Sequence, residues 1–226
     1  MLYLHGGGYA FSSTSHDTLI GLVAEASPRT FALDSRLTPE YAHPAQLQDA
    51  MSAYQWLLET GNPLQSIVIA GDSAGGHLAL MSLIAMRDKG VPQPALCIAV
   101  SPWMYIGNHG LSLFRNDPYD WVQGYMAIQF GKWLRGNGEW TEEGLSPPCA
   151  DLRGFSPIYL QADGREILHD MIRDFALVGQ PLGANVMLDV WGDMPHDFQA
   201  FGTHTRQSAQ ALRRITEITN RHAPTT

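Results

Sequence analysis

The stretch Ile67-Val68-Ile69-Ala70-Gly71-Asp72-Ser73-Ala74-Gly75-Gly76 constrains the fold of this chain more than any other. Four apolar residues run straight into Gly-x-Ser-x-Gly, and a helix-forming segment, His77 to Lys89, follows at once. Strand, glycine turn and helix in that order are the context in which Gly-x-Ser-x-Gly makes a nucleophile elbow. A side chain at Gly71 or Gly75 is expected to collide with a neighbouring strand or helix, and Ser73 to sit in a strained turn. Such a turn lifts the Ser73 hydroxyl above the sheet and aims the Ala74 N–H at whatever the hydroxyl attacks. The same glycines would also serve a loop that only joins strand to helix, so a second motif has to decide.

That motif stands at the front of the chain, Leu2-Tyr3-Leu4-His5-Gly6-Gly7-Gly8-Tyr9. Attack on an ester carbonyl builds an oxyanion, which needs preorganised donors about 3 Å away. Consecutive glycines after a strand let backbone N–H groups approach a substrate unobstructed, and His-Gly-Gly-Gly is a known form of this loop. A phosphate loop is excluded, because neither Gly-Lys-Ser/Thr nor the G-x-G-x-x-G spacing is present. Together, His5-Gly6-Gly7-Gly8 and Gly71-Asp72-Ser73-Ala74-Gly75-Gly76 closely resemble the hormone-sensitive-lipase-like family (bacterial family IV) of α/β-hydrolases. The resemblance runs from residue 1 to about 215. It implies an α/β-hydrolase fold and a serine carboxylesterase of short- to medium-chain acyl or aryl esters, working without a cofactor. The oxyanion donors it implies are the N–H groups of Gly7, Gly8 and Ala74. Tyr9, Phe11, Asp72 and Trp103 are the residues expected to line the substrate pocket.

Bulk properties agree with one catalytic domain. The 226 residues suffice for one α/β unit with a sizeable core, and 45% hydrophobic against 16% charged residues is a globular composition. A net charge of −8 with no basic run argues against a nucleic-acid partner. Cys97 falls in an expected strand and Cys149 in a loop, so no disulfide framework is indicated. No apolar run approaches a membrane span and no signal-like segment opens the chain, which reads as cytoplasmic.

The elements alternate. Strands are expected at Met1 to Leu4, Thr30 to Leu33, Ile67 to Ala70, Ala95 to Val100, Ile158 to Gln161 and Val186 to Val190. Helices are expected at His16 to Ala26, from Pro44 to about Leu58, at His77 to Lys89, and from roughly Thr205 to Arg221. This implies a mostly parallel sheet with helices on both faces and catalytic loops at the strands' carboxyl ends. The aromatic-dense stretch Trp103 to Pro147 breaks the pattern. The resemblance implies a partial cap inserted at about 103–147 in a single domain, 1–226.

A serine hydroxyl needs a base held in one tautomer, and in this fold the order is Ser, acid, His. His196, in Trp191-Gly192-Asp193-Met194-Pro195-His196-Asp197-Phe198, lies past the last strand and before the closing helix, where the base belongs. His5 and His77 read as structural hydrogen-bonders. For the acid the residues alone leave Asp163, Glu166 and Asp170 open, and Asp163-x-x-Glu166 also resembles a capping box. The family pattern, matched by Glu166-Ile167-Leu168-His169-Asp170, implies Glu166. A lactonase or amidase would use the same triad. Non-catalytic receptors of the fold typically lack the histidine, which is present here. No metal-ligand spacing occurs.

Family members carry two further strands and a helical cap segment before the glycine loop, whereas only Met1 to Leu4 precede it in this sequence. That makes Thr30 to Leu33 an expected edge strand and leaves Tyr9, Phe11 and part of the cap uncovered. Self-association, as a homo-oligomer such as a dimer, is the expected consequence.

Overall fold

The computed structural model describes residues 1–15 and 17–224. Its centre is a six-stranded sheet in which every pairing is parallel. The strands are β1 (Leu2–Leu4), β2 (Phe31–Leu33), β3 (Val68–Asp72), β4 (Leu96–Val100), β5 (Ile158–Asp163) and β6 (Val186–Trp191), in the spatial order β2-β1-β3-β4-β5-β6.

Two-residue alternation splits the strands' side chains between two cores. Leu2, Leu4, Ile69, Cys97, Ala99, Ile158, Leu160 and Ala162 face one side, under α2 (Ala45–Glu59), α3 (Ser73–Lys89) and α6 (His169–Gly179). Tyr3, Val68, Ala70, Leu96, Ile98, Val100 and Tyr159 face the other, under α1 (Thr18–Ala24) and α7 (Arg206–His222). Burial on both faces is why the inner strands read as unbroken apolar runs. Part of the expected first helix, His16, lies outside the described residues; Asp17 caps the helix by accepting the Leu19 N–H at 2.9 Å.

The run at Thr30 to Leu33 forms the sheet edge, as expected, with Phe31 exposed against the ring of Trp56, because among the described residues only β1 pairs with it. One expectation needs correction: the central helix does not wait for His77. It starts at Ser73, at the elbow itself, and ends at Gly90 with φ 66. Buried residues surround α3, among them Leu78, Leu80, Leu83 and Met86.

Between β4 and β5 the chain leaves the sheet through α4 (Ser112–Arg115) and α5 (Gly124–Arg135). Aromatic residues here divide. Trp103 is buried beneath α5, whereas Phe114, Tyr119, Trp121 and Tyr125 are exposed. Register pairs Leu4 with Gly71, Asp72 with Val100, Val100 with Gln161 and Asp163 with Trp191. The loops after β1, β3, β5 and β6 therefore open at one edge of the sheet, the position where such folds bind ligands.

Candidate active site

Ser73 opens α3 directly after β3, with φ 49, in the left-handed region that non-glycine residues avoid. The turn closes only because its neighbours lack side chains: a Cβ on Gly75 would run into the Leu4 carbonyl, and one on Gly71 into Gly75. Ala74 lies in the first turn of α3, where helical N–H groups have no partner along the helix. Facing it, Gly7 and Gly8 adopt φ 94 and 62, and among the described residues their N–H groups have no protein acceptor.

The glycine loop is tied down from beneath. Asp72 Oδ1 accepts the Tyr3 hydroxyl at 2.7 Å and the Gly6 N–H at 3.1 Å. Tyr9 bonds to His77 Nδ1 at 2.5 Å, and His77 Nε2 lies 2.6 Å from the Leu145 carbonyl. A carbonyl only accepts, so Nε2 carries the proton and Nδ1 accepts from the Tyr9 hydroxyl. Burial pushes His77 down to about 4, so it stays neutral in this role. His5 Nδ1 contacts the Gly6 carbonyl at 2.8 Å. Both histidines are therefore engaged in buried hydrogen bonds.

These bonds correct two pocket expectations. Tyr9 is buried below the loop, turned there by its own φ of 62. Asp72 shares the β3 face of Val68 and Ala70, on the Tyr3 side of the sheet, and its carboxylate, held by the Tyr3 hydroxyl and the Gly6 N–H, does not line the cavity. Phe11 and Trp103 do line the cavity, which has a volume of about 360 Å³. Gly7, Gly8, Ser73 and His196 form its floor, and Trp121, Val122, Met126, Ala127, Phe130, Ile167 and Leu168 its apolar walls.

His196 Nδ1 meets Glu166 Oε2 at 3.0 Å, with both side chains almost wholly buried. Glu166 Oε1 accepts the Asp163 N–H at 2.8 Å, which is half of the capping box expected from the spacing. No helix starts there, because α6 waits until His169. Asp163 does not reach the imidazole. Its Oδ1 accepts the N–H groups of Arg165 and Met194, each at 2.8 Å, joining the acid turn to the histidine loop. Burial raises Asp163 to about 7 despite those two bonds. Asp170 holds the Ser112 N–H at 2.9 Å and pairs with Arg173.

Sequence reasoning missed Asp120. Its Oδ2 accepts the Ile167 N–H at 2.7 Å and its Oδ1 the His196 N–H at 3.2 Å, so it fastens the Glu166 turn and the His196 loop together. No spacing relates Asp120 to either loop, so no sequence signal pointed to it. It missed Asp197 as well. Asp197 Oδ2 lies 3.1 Å from His196 Nε2, and among the described residues no hydrogen bond joins Nε2 to the Ser73 hydroxyl. Burial would lower the His196 pKa, but the Asp197 and Glu166 carboxylates outweigh it and hold the imidazole well above 6.5.

An elbow serine facing backbone N–H groups across a cavity, with the imidazole of a buried carboxylate–imidazole pair lining that cavity, defines an α/β-hydrolase. The alpha/beta hydrolase fold family profile matches residues 1–200. An acetyl-hydrolase of Streptomyces hygroscopicus is 34% identical over 200 residues, spanning 87% of this chain and 67% of that protein. An ethyl acetate hydrolase of Pseudomonas putida is 29% identical, over 98% of this chain and 73% of its own length. The crystal structure of an esterase from the bacterial hormone-sensitive lipase family superposes with a TM-score of 0.92 at 36% identity. That match covers 98% of this chain and 76% of the other. The chain belongs to this family, in its hormone-sensitive-lipase-like branch, and is a carboxylic ester hydrolase. Among the described residues no helix is long and apolar enough to cross a membrane.

Proposed function

We propose that this esterase cleaves short-chain acyl esters through an acyl-enzyme on Ser73, with His196 as base and Glu166 as the acid that orients it. The observation that carries the reading is His196, paired with the buried Glu166 at 3.0 Å and lining one cavity with Ser73 and the glycine loop. In acylation the Ser73 oxygen bonds to the ester carbon as its proton passes to His196 Nε2. The carbonyl electron pair moves onto oxygen, toward the N–H groups of Gly7, Gly8 and Ala74. Nε2 then gives its proton to the leaving alkoxide as the C–O bond breaks, and water repeats the sequence on the acyl-enzyme. Throughout, Glu166 keeps Nδ1 protonated, which leaves Nε2 free to accept.

The acyl range rests on the relatives. A cavity of about 360 Å³ with Phe11, Trp103 and Phe130 as walls has room for a whole small ester, acyl and alcohol parts together. The similar proteins named for acetyl and ethyl acetate hydrolysis support the same range. Residues 103–147 act as a partial lid of the single domain, because Trp121, Met126 and Phe130 come from this stretch. A panel of p-nitrophenyl esters of graded acyl length tests the reading. kcat/KM should peak at short chains and fall steeply for long ones; a rise toward long chains would contradict it.

A further inference from the structure

In the reading above His196 Nε2 takes the Ser73 proton, yet in the structure that nitrogen faces Asp197 Oδ2 at 3.1 Å. With Nδ1 on Glu166 at 3.0 Å, the imidazole is clasped by a carboxylate at each end. Asp197 is held there by its surroundings. It adopts φ 51, and its N–H donates to Ser101 Oγ at 3.3 Å. Ser101, buried at the end of β4, has φ 42. Two non-glycine residues in the left-handed region persist only where neighbouring structure holds them. Among the described residues lining the cavity, Asp197 is the sole carboxylate.

The contact specifies where a proton must be. A neutral imidazole donating Nδ1–H to Glu166 presents a lone pair at Nε2. Two lone pairs 3.1 Å apart repel, so this contact needs a proton between Nε2 and Oδ2. The same proton prevents Nε2 from accepting the one on Ser73.

We propose that Asp197 is a positioning residue that competes with Ser73 for His196 Nε2, parking the imidazolium in a resting state that must lose one proton before the serine is activated. This rests on the serine-esterase reading and adds a second partner for its base. When the shared proton leaves to solvent through the cavity, Asp197 and Nε2 repel and the imidazole turns to the Ser73 hydroxyl.

The charged groups around this proton come from every element packed on it. Glu166 stands on the turn after β5, Asp120 on the stretch between β4 and β5, Asp72 at the end of β3 and Asp17 at the cap of α1. The Tyr3 hydroxyl is spent on Asp72. None of these is a cation, so His196 is the group that balances them. Burial raises the pKa of Asp197 as well, and the pair therefore keeps its proton to higher pH than a lone histidine would.

The test is the pH dependence of kcat/KM for p-nitrophenyl acetate in the wild type, Asp197→Asn and Asp197→Ser, across about pH 5 to 9. Stoichiometric labelling of Ser73 by a fluorophosphonate is followed in parallel. Removing the carboxylate should shift the acid limb down by about one pH unit, on the order of a tenfold gain over wild type below the limb. A limb that stays in place while rates fall evenly at every pH would make Asp197 merely structural and overturn the proposal. If one variant fails to fold, the other decides by the same limb. Wild-type protein that hydrolyses the ester without labelling at Ser73 would overturn the serine-esterase reading itself. Labelling with an unmoved limb would overturn only this inference.

Discussion

One oxygen of Glu166 holds His196 Nδ1 at 3.0 Å, while the other holds the backbone N–H of Asp163 at 2.8 Å. Both oxygens therefore face donors, and an amide cannot replace them. Glu166→Gln must either turn its NH₂ toward Asp163 N–H or present it to Nδ1, which forces the wrong imidazole tautomer. We expect kcat/KM to fall on the order of 10³ to 10⁴, the scale found for the analogous change in serine proteases. Asp163→Asn and Asp170→Asn, which do not touch the ring, should cost far less. Steady-state kinetics of the three variants check the ranking, and a larger loss at Asp163 would move the acid there.

Asp163 makes a separate prediction about stability. Burial raises its carboxyl from 3.8 to about 7, and among the described residues its Oδ2 has no hydrogen-bond partner. A folded-state pKa above the unfolded one means the native protein binds the extra proton. The carboxylate then costs stability as pH rises from about 4 to about 7, and the cost is complete above that. An asparagine keeps the Oδ1 acceptor for Arg165 and Met194 without the charge. Asp163→Asn should match or exceed the wild-type Tm at alkaline pH, with the advantage vanishing at acid pH. A variant less stable at alkaline pH than at acid pH, relative to wild type, would refute this.

Much of this site is legible in the sequence because its chemistry depends on backbone spacing. The elbow at Ser73 and the loop at Gly7 and Gly8 need residues without side chains at fixed offsets. His196 is found from its place between the last strand and the last helix. Side-chain direction is harder to read. Asp72 adjoins Ser73 in sequence but lies on the Tyr3 side of the sheet, and two-residue alternation from Val68 and Ala70 could have revealed it. Tyr9 reads as a pocket aromatic until its φ of 62 turns it toward His77. Asp120 is invisible for a different reason: it lies 46 residues before Glu166 and 76 before His196, and only tertiary packing brings the three together.

The Tyr9–His77 bond predicts a role for a buried hydroxyl. Tyr9→Phe leaves His77 Nδ1 without its donor and loosens the loop that carries the Gly7 and Gly8 N–H groups. An orphaned buried acceptor costs roughly 1 to 3 kcal/mol of stability. In the proposed mechanism the loop serves the transition state, so kcat should drop on the order of tenfold with little change in KM. Denaturant unfolding and kinetics of this one variant measure both effects. Unchanged kcat with lowered stability would separate the bond from catalysis.

The central claim is that Ser73 is the nucleophile, and kcat of Ser73→Ala measures it most directly. The account predicts a loss on the order of 10³-fold or more, with circular dichroism and Tm close to wild type. A folded Ser73→Ala protein that kept most of its ester turnover would contradict it.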